Sequence, residues 1–160
     1  MKPIIAVLLA LPIATAAAAQ DTGPLEVDVV GGIQAPMAIA VPAMPSTSGD
    51  VALGRQIAEI IASDLRTTGL FTPLGPGGIS GYSYAEASNP VYATWRSAGA
   101  AALVAGYVEG GGSSRLTLAC YLYDVTAGRE LVRQGFAVNA SDWRRAAHKC
   151  ADLIYSRLSG

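Results

Sequence analysis

The residues able to do chemistry in this chain are few, and their spacing does not assemble them into a reaction centre. His148 is the sole histidine, with Asp152 one helical turn later. A hydrolytic relay needs a nucleophile brought to the imidazole and a carboxylate that orients it. Asp152 is placed to hold the ring, but Ser141 sits where a helix start would engage its hydroxyl. Asp64, Asp142 and Asp152 offer no carboxylate pair suited to hydrolysis. Gly110-Gly111-Gly112 lacks the Lys-Ser or Lys-Thr ending of a phosphate loop and leads into a strand, so no helix N-terminus receives an anion. The glycines of residues 75–81 are interrupted by Pro76 and precede no glycine-spaced helix, which removes a dinucleotide reading. Two cysteines and one histidine cannot complete a zinc site from Cys and His alone. The expectation is a non-enzymatic protein with no catalytic residue, cofactor or metal.

Cys120 and Cys150 carry a structural possibility instead. Cys120 shares a strand face with Leu116, Leu118 and Leu122, in alternation with Thr117, Ala119, Tyr121 and Tyr123. Cys150 falls in a stripe with Trp143, Ala147, Ile154 and Leu158, which recur every three or four residues and define an amphipathic helix. If that helix lies on that strand, the sulfurs meet, and an oxidising compartment would join them. Two buried, unbonded thiols are the alternative. Ser141 or Asp142 is expected to cap this last helix.

The elements around this pair read in order along the chain. Residues 25–30, Leu-Glu-Val-Asp-Val-Val, alternate as an edge strand does. Residues 36–42 are apolar on both faces and predict a central strand closed by Pro42. Asp50 is placed to cap a helix with Leu53, Ile57, Ile60 or Ile61, and Leu65 inward, and Gly54 lets that helix approach the sheet closely. Gly69 ends it, and residues 70–74 form a short extended piece. Residues 75–88 read as a long excursion carrying Tyr82 and Tyr84, with either a contact role or none. Asn89-Pro90 opens another helix through Trp95, whose indole, like that of Trp143, is expected in the core. Strands follow at 100–108, 115–125 and 130–138, the last two as a hairpin. The order predicts a single compact α/β domain whose mixed sheet is covered by helices.

The length suits one domain, and 51% apolar against 14% charged residues excludes a disordered chain. Residues 1–19 read as an export signal, with Lys2, an apolar run over 4–11, and small residues before Gln20. The run is too short for ~30 Å of hydrocarbon and Pro12 breaks it, so a membrane-spanning anchor is not expected. No cysteine near the cut provides a lipid attachment point. The mature domain is then 20–160. Net charge is -1, or -2 without Lys2, and no basic patch interleaved with aromatics points to nucleic acid.

One set of strings has a family counterpart. Residues 143–160 resemble the Arg-x-x-Ala-His-x-x-Ala-Asp-x-Ile-Tyr-x-x-Leu-Thr-Gly run of the TolB family, with Ser159 in place of threonine. Residues 37–42 resemble its Pro-Ile-Ala-Ile-Val-Pro strand, and residues 57–71 its Asp-Leu-x-x-Ser-Gly-x-Phe helix end, with Asp64, Leu65, Gly69 and Phe71 matching and Thr68 replacing serine. Trp95-Arg96 to Gly99-Ala100 and Leu122-Tyr123-Asp124-Val125 match further segments in the same order. Cys120 and Cys150 stand outside the family pattern. The resemblance implies the amino-terminal α/β domain of a periplasmic component of the Tol-Pal cell-envelope system, which supports outer-membrane integrity and constriction at division. In that family a six-bladed β-propeller follows the domain and binds the lipoprotein Pal, so any Pal contact is expected outside these residues. The mature N-terminal tail contacts the C-terminal domain of TolA. Carried onto this sequence, that role falls on Gln20, Asp21, Thr22, Leu25, Glu26, Val27 and Asp28.

A competing expectation is a stand-alone periplasmic adaptor resembling the domains of penicillin-binding-protein activator lipoproteins, with recognition near Tyr82, Tyr84 and Trp95. The missing lipid-bearing cysteine weighs against it.

Overall fold

The computed structural model describes residues 35–110 and 114–160. Along the chain run β1 (Met37–Ala40), α1 (Val51–Thr67), β2 (Phe71–Leu74), α2 (Tyr84–Ser88), α3 (Tyr92–Ser97), β3 (Ala102–Gly110), β4 (Arg115–Asp124), β5 (Arg129–Asn139), a 3-10 turn at Ala140–Asp142, and α4 (Trp143–Ser159). The expected edge strand at 25–30 lies outside the described residues.

The strands form one mixed sheet in the order β2-β1-β3-β4-β5. β1 pairs in parallel with both β2 and β3, and the β3-β4-β5 meander is antiparallel. β1 is interior, as its two apolar faces require; Ile39, Ala40 and Val41 are all fully buried. On one face α1 and α4 lie over the sheet, and Leu116, Leu118, Cys120 and Leu122 meet Ala147, Cys150 and Ile154. The period-two and 3.6-residue patterns thus face each other. Trp143 and Leu158 close the two ends of the α4 stripe half-buried. On the other face Leu103, Ala105, Ala119, Tyr121 and Tyr123 pack with Trp95 and Ala87 from the short helices.

The local signals act largely as their chemistry dictates. Asp50 accepts from the Leu53 N–H at 3.0 Å, and α1 ends at Gly69 with φ +73°. Ile61 takes the core position and Ile60 its flank. Gly54 permits a close approach, but to the Met44 carbonyl rather than to the sheet; a β-carbon there would overlap that oxygen. Two caps fall elsewhere than expected. Neither Ser141 nor Asp142 caps α4 through its side chain. The helix is entered through the 3-10 turn, and Asp142, with φ -95° and ψ 13°, lacks the extended backbone from which an N-cap side chain reaches forward. Asn89 closes α2 instead of opening α3, whose N-cap is Val91; the residue before a proline avoids helical angles, which ends α2 there. Residues 75–88 are not wholly irregular either: Ser83 and Glu86 form a capping box that nucleates the single turn of α2.

Candidate interaction site

Cys120 and Cys150 are bonded, with α-carbons 5.9 Å apart and both residues fully buried. The bridge ties the middle of β4 to the middle of α4.

His148 finds a carboxylate, though not the expected one. Its Nδ1 lies 2.6 Å from Oδ2 of Asp64, on α1, so the pair links the two helices rather than two turns of one. Both side chains are open to solvent. Ser141 is exposed in the 3-10 turn, and its hydroxyl makes no hydrogen bond to this pair. Asp142 is engaged with Arg145 at 3.0 Å and with the Asn139 amide at 3.3 Å. Among the described residues no group of three or more His, Cys, Asp or Glu side chains can hold a metal, and no helix is long and apolar enough to cross a membrane. Gly110 ends β3, while Gly111 and Gly112 lie outside the described residues.

The aromatic residues of the excursion are structural. Trp95 is buried and meets Tyr82 edge-on, ring centroids 6.2 Å apart. The Tyr82 hydroxyl donates to the Gly106 carbonyl at 2.7 Å and accepts from the Gly106 N–H at 2.9 Å. β1 covers this side of β3 only at Ala102 and Leu103, and Pro45 and Thr47 take up Val108 further on. Tyr82 fills the gap between them. Burial raises its pKa above the ordinary phenol value. A glycine in mid-strand was the sequence signal for such a close approach. Tyr84 remains about half exposed, its ring tilted against that of Tyr107 with centroids 4.4 Å apart. Of these three residues only Trp95 is fully interior; Tyr82 is half-buried and Tyr84 exposed.

Tyr123 is also buried; its hydroxyl donates to the Ala87 carbonyl at 2.9 Å, and burial raises its pKa as well. Arg133 lies over the Tyr121 ring at 4.0 Å and pairs with Glu130 at 2.6 Å, which holds its pKa above the usual value. Sequence reading passed over one further group. Arg115, Arg145 and Lys149 line a common cleft of about 260 Å³ with the last residues of β5. Arg115 is brought there by strand register, which no local spacing reports. The expected partner residues Gln20, Asp21, Thr22, Leu25, Glu26, Val27 and Asp28 lie outside the described residues.

The described residues thus define a small α/β domain whose available surfaces are a strand edge, clefts and helix faces. Comparison with known proteins gives the family. Residues 25–131 match the model of the TolB amino-terminal domain. The chain is 49% identical to the Tol-Pal system protein TolB of Zymomonas mobilis over 85% of its length and 31% of the relative's. It is 46% identical to the Tol-Pal system protein TolB of Rhizorhabdus wittichii over 96% of its length and 36% of the relative's. The crystal structure of TolB from Acinetobacter baumannii superposes with a TM-score of 0.61 at 24% identity, covering 79% of this chain and 29% of that one. The chain belongs to the TolB amino-terminal domain family and corresponds to about a third of the length of the curated relatives it matches. Proteins of this family are periplasmic, which places the chain in the periplasm.

Proposed function

We propose that this chain is a non-enzymatic interaction domain of the Tol-Pal cell-envelope system, and that residues 20–28 bind the C-terminal domain of TolA. The match of residues 25–131 to the TolB amino-terminal domain carries this reading. Residues 1–19 act as the export signal and 20–160 as the mature domain. The alternation of Leu25, Val27 and Val29 with Glu26 and Asp28 is the sequence pattern of a strand with one apolar and one acidic face. Such a segment can add to a partner sheet, backbone bonds giving affinity and the apolar side chains seating it. Pal recognition in this family belongs to the propeller, outside residues 20–160. Through TolA the domain supports outer-membrane integrity and constriction at division.

Calorimetric titration with the TolA C-terminal domain tests this reading. Deleting residues 20–25 is expected to abolish measurable binding while the thermal midpoint stays in place. Unchanged affinity after the deletion contradicts it.

A further inference from the structure

β5 is the outermost strand of the sheet, and among the described residues no strand lies along its free side. Such an edge offers a row of open N–H and C=O groups to an extended chain. The two halves of β5 differ in how that edge is guarded. In the first half the register breaks opposite Leu122 and Tyr123, Arg133 adds a charge, and Arg157 Nε donates to the Leu131 carbonyl at 3.3 Å. From Gln134 to Asn139 the strand has no charge, no proline and no bulge. Gly106 gives its backbone groups to Tyr82, so the opposing Cys120 directs its own toward β5. By alternation, Gly135, Ala137 and Asn139 turn their backbone groups outward. Consistent with this, among the described residues the Gly135 carbonyl is met by the neighbouring Gln134 amide, at 3.0 Å.

This unguarded half runs into cations. Ala137, Val138 and Asn139 line the cleft of Arg115, Arg145 and Lys149, with Asp142 as its single carboxylate. Asp142 is already taken by Arg145 and Asn139, while Arg115 and Lys149 form no ion pair among the described residues. Three of the chain's eleven basic residues thus line one cleft in a chain with net charge -1. Across the 3-10 turn a second, mainly polar cleft of about 320 Å³ is bordered by Trp143, Leu53 and Leu116 together with Ser48, Asp50 and Gln56.

We propose that the outer edge of β5 from Gln134 to Asn139, together with Arg115, Arg145 and Lys149, docks an extended acidic polypeptide segment that joins the sheet as an added strand. The open backbone groups supply pairing, and the cations select the charge and fix the direction of the incoming segment. A polypeptide fits better than an isolated phosphate because the cations stand at the end of an open strand. This surface is distinct from residues 20–28 and does not depend on the role proposed for them.

Fluorescence anisotropy with a labelled peptide of alternating Glu and Val, titrated with the full chain, tests the proposal; the same peptide with Lys for Glu is the control. The Glu peptide is expected to bind, the Lys peptide not, with affinity falling between about 0.05 and about 0.2 M salt. The Arg115→Glu, Lys149→Glu double variant is expected to weaken binding at least about tenfold. Ala137→Pro removes an outward N–H and is expected to weaken it comparably. Should that variant fail to fold, slowed amide exchange at Gly135, Ala137 and Asn139 of the unaltered chain with bound peptide decides the matter. The proposal is overturned by absence of peptide binding, by binding indifferent to both variants, or by exchange rates unchanged at those amides. Equal capture of phosphatidylglycerol vesicles through the same cations would make the surface a membrane contact. A dimer in sedimentation that is lost in Ala137→Pro would make it a self-association edge. Either result overturns it too.

Discussion

The hydroxyl of Tyr82 occupies both backbone groups of Gly106, closing a gap in the hydrogen bonding of β3 that no strand among the described residues fills. Removing it in Tyr82→Phe leaves a strand N–H and carbonyl without partners, at a cost of about 1–3 kcal/mol. Urea unfolding is the measurement. The same pair sets an alkaline limit. Because burial raises the Tyr82 pKa, its contribution is complete below the unfolded-state value of about 10 and declines as pH rises beyond it. Stability is expected to begin falling at about pH 10 and to go on falling as pH rises toward the raised folded-state value, less steeply in Tyr82→Phe.

The Cys120–Cys150 bridge closes a separation of 30 residues. Constraint of the unfolded chain over such a loop is worth about 3–4 kcal/mol. The Cys120→Ala, Cys150→Ala variant is expected to lose at least that much in guanidinium unfolding, and the unaltered chain to lose a similar amount when unfolded with a thiol reductant.

Gly54 lies inside α1, where alanine would ordinarily gain about 1 kcal/mol in helix propensity. A β-carbon there meets the Met44 carbonyl, so Gly54→Ala is expected to destabilise by about 1–3 kcal/mol. A shift of the thermal midpoint upward would show that the α1–Met44 contact is looser than described.

The two helix starts should respond unequally. Asp50→Ala removes a formed cap and is expected to cost about 1 kcal/mol. Asp142→Ala removes only an exposed pair with Arg145 and a bond from Asn139, and is expected to cost less than about 1 kcal/mol. Parallel urea titrations of the two variants compare them directly.

The sheet-facing stripes of α1 and α4, the β4–β5 hairpin and the meeting of the two sulfurs were legible because each follows from a short period in sequence. Details requiring a third segment were not. His148 chose Asp64, 84 residues away, over Asp152 because α1 and α4 lie side by side, and only tertiary packing sets that distance. Asn89 and Asp142 carry cap-forming side chains but sit at backbone angles that deny the cap. Arg115 joins Arg145 and Lys149 through strand register, so in sequence it reads as one more solvent-facing arginine.

Amide chemical-shift mapping of the isotope-labelled chain against the TolA C-terminal domain tests the central functional reading most directly. Perturbations concentrated in residues 20–30, with those of the β5 edge and the α1–α4 face unchanged, are the expected result. A titration that leaves residues 20–30 unperturbed, whether or not other amides move, contradicts it.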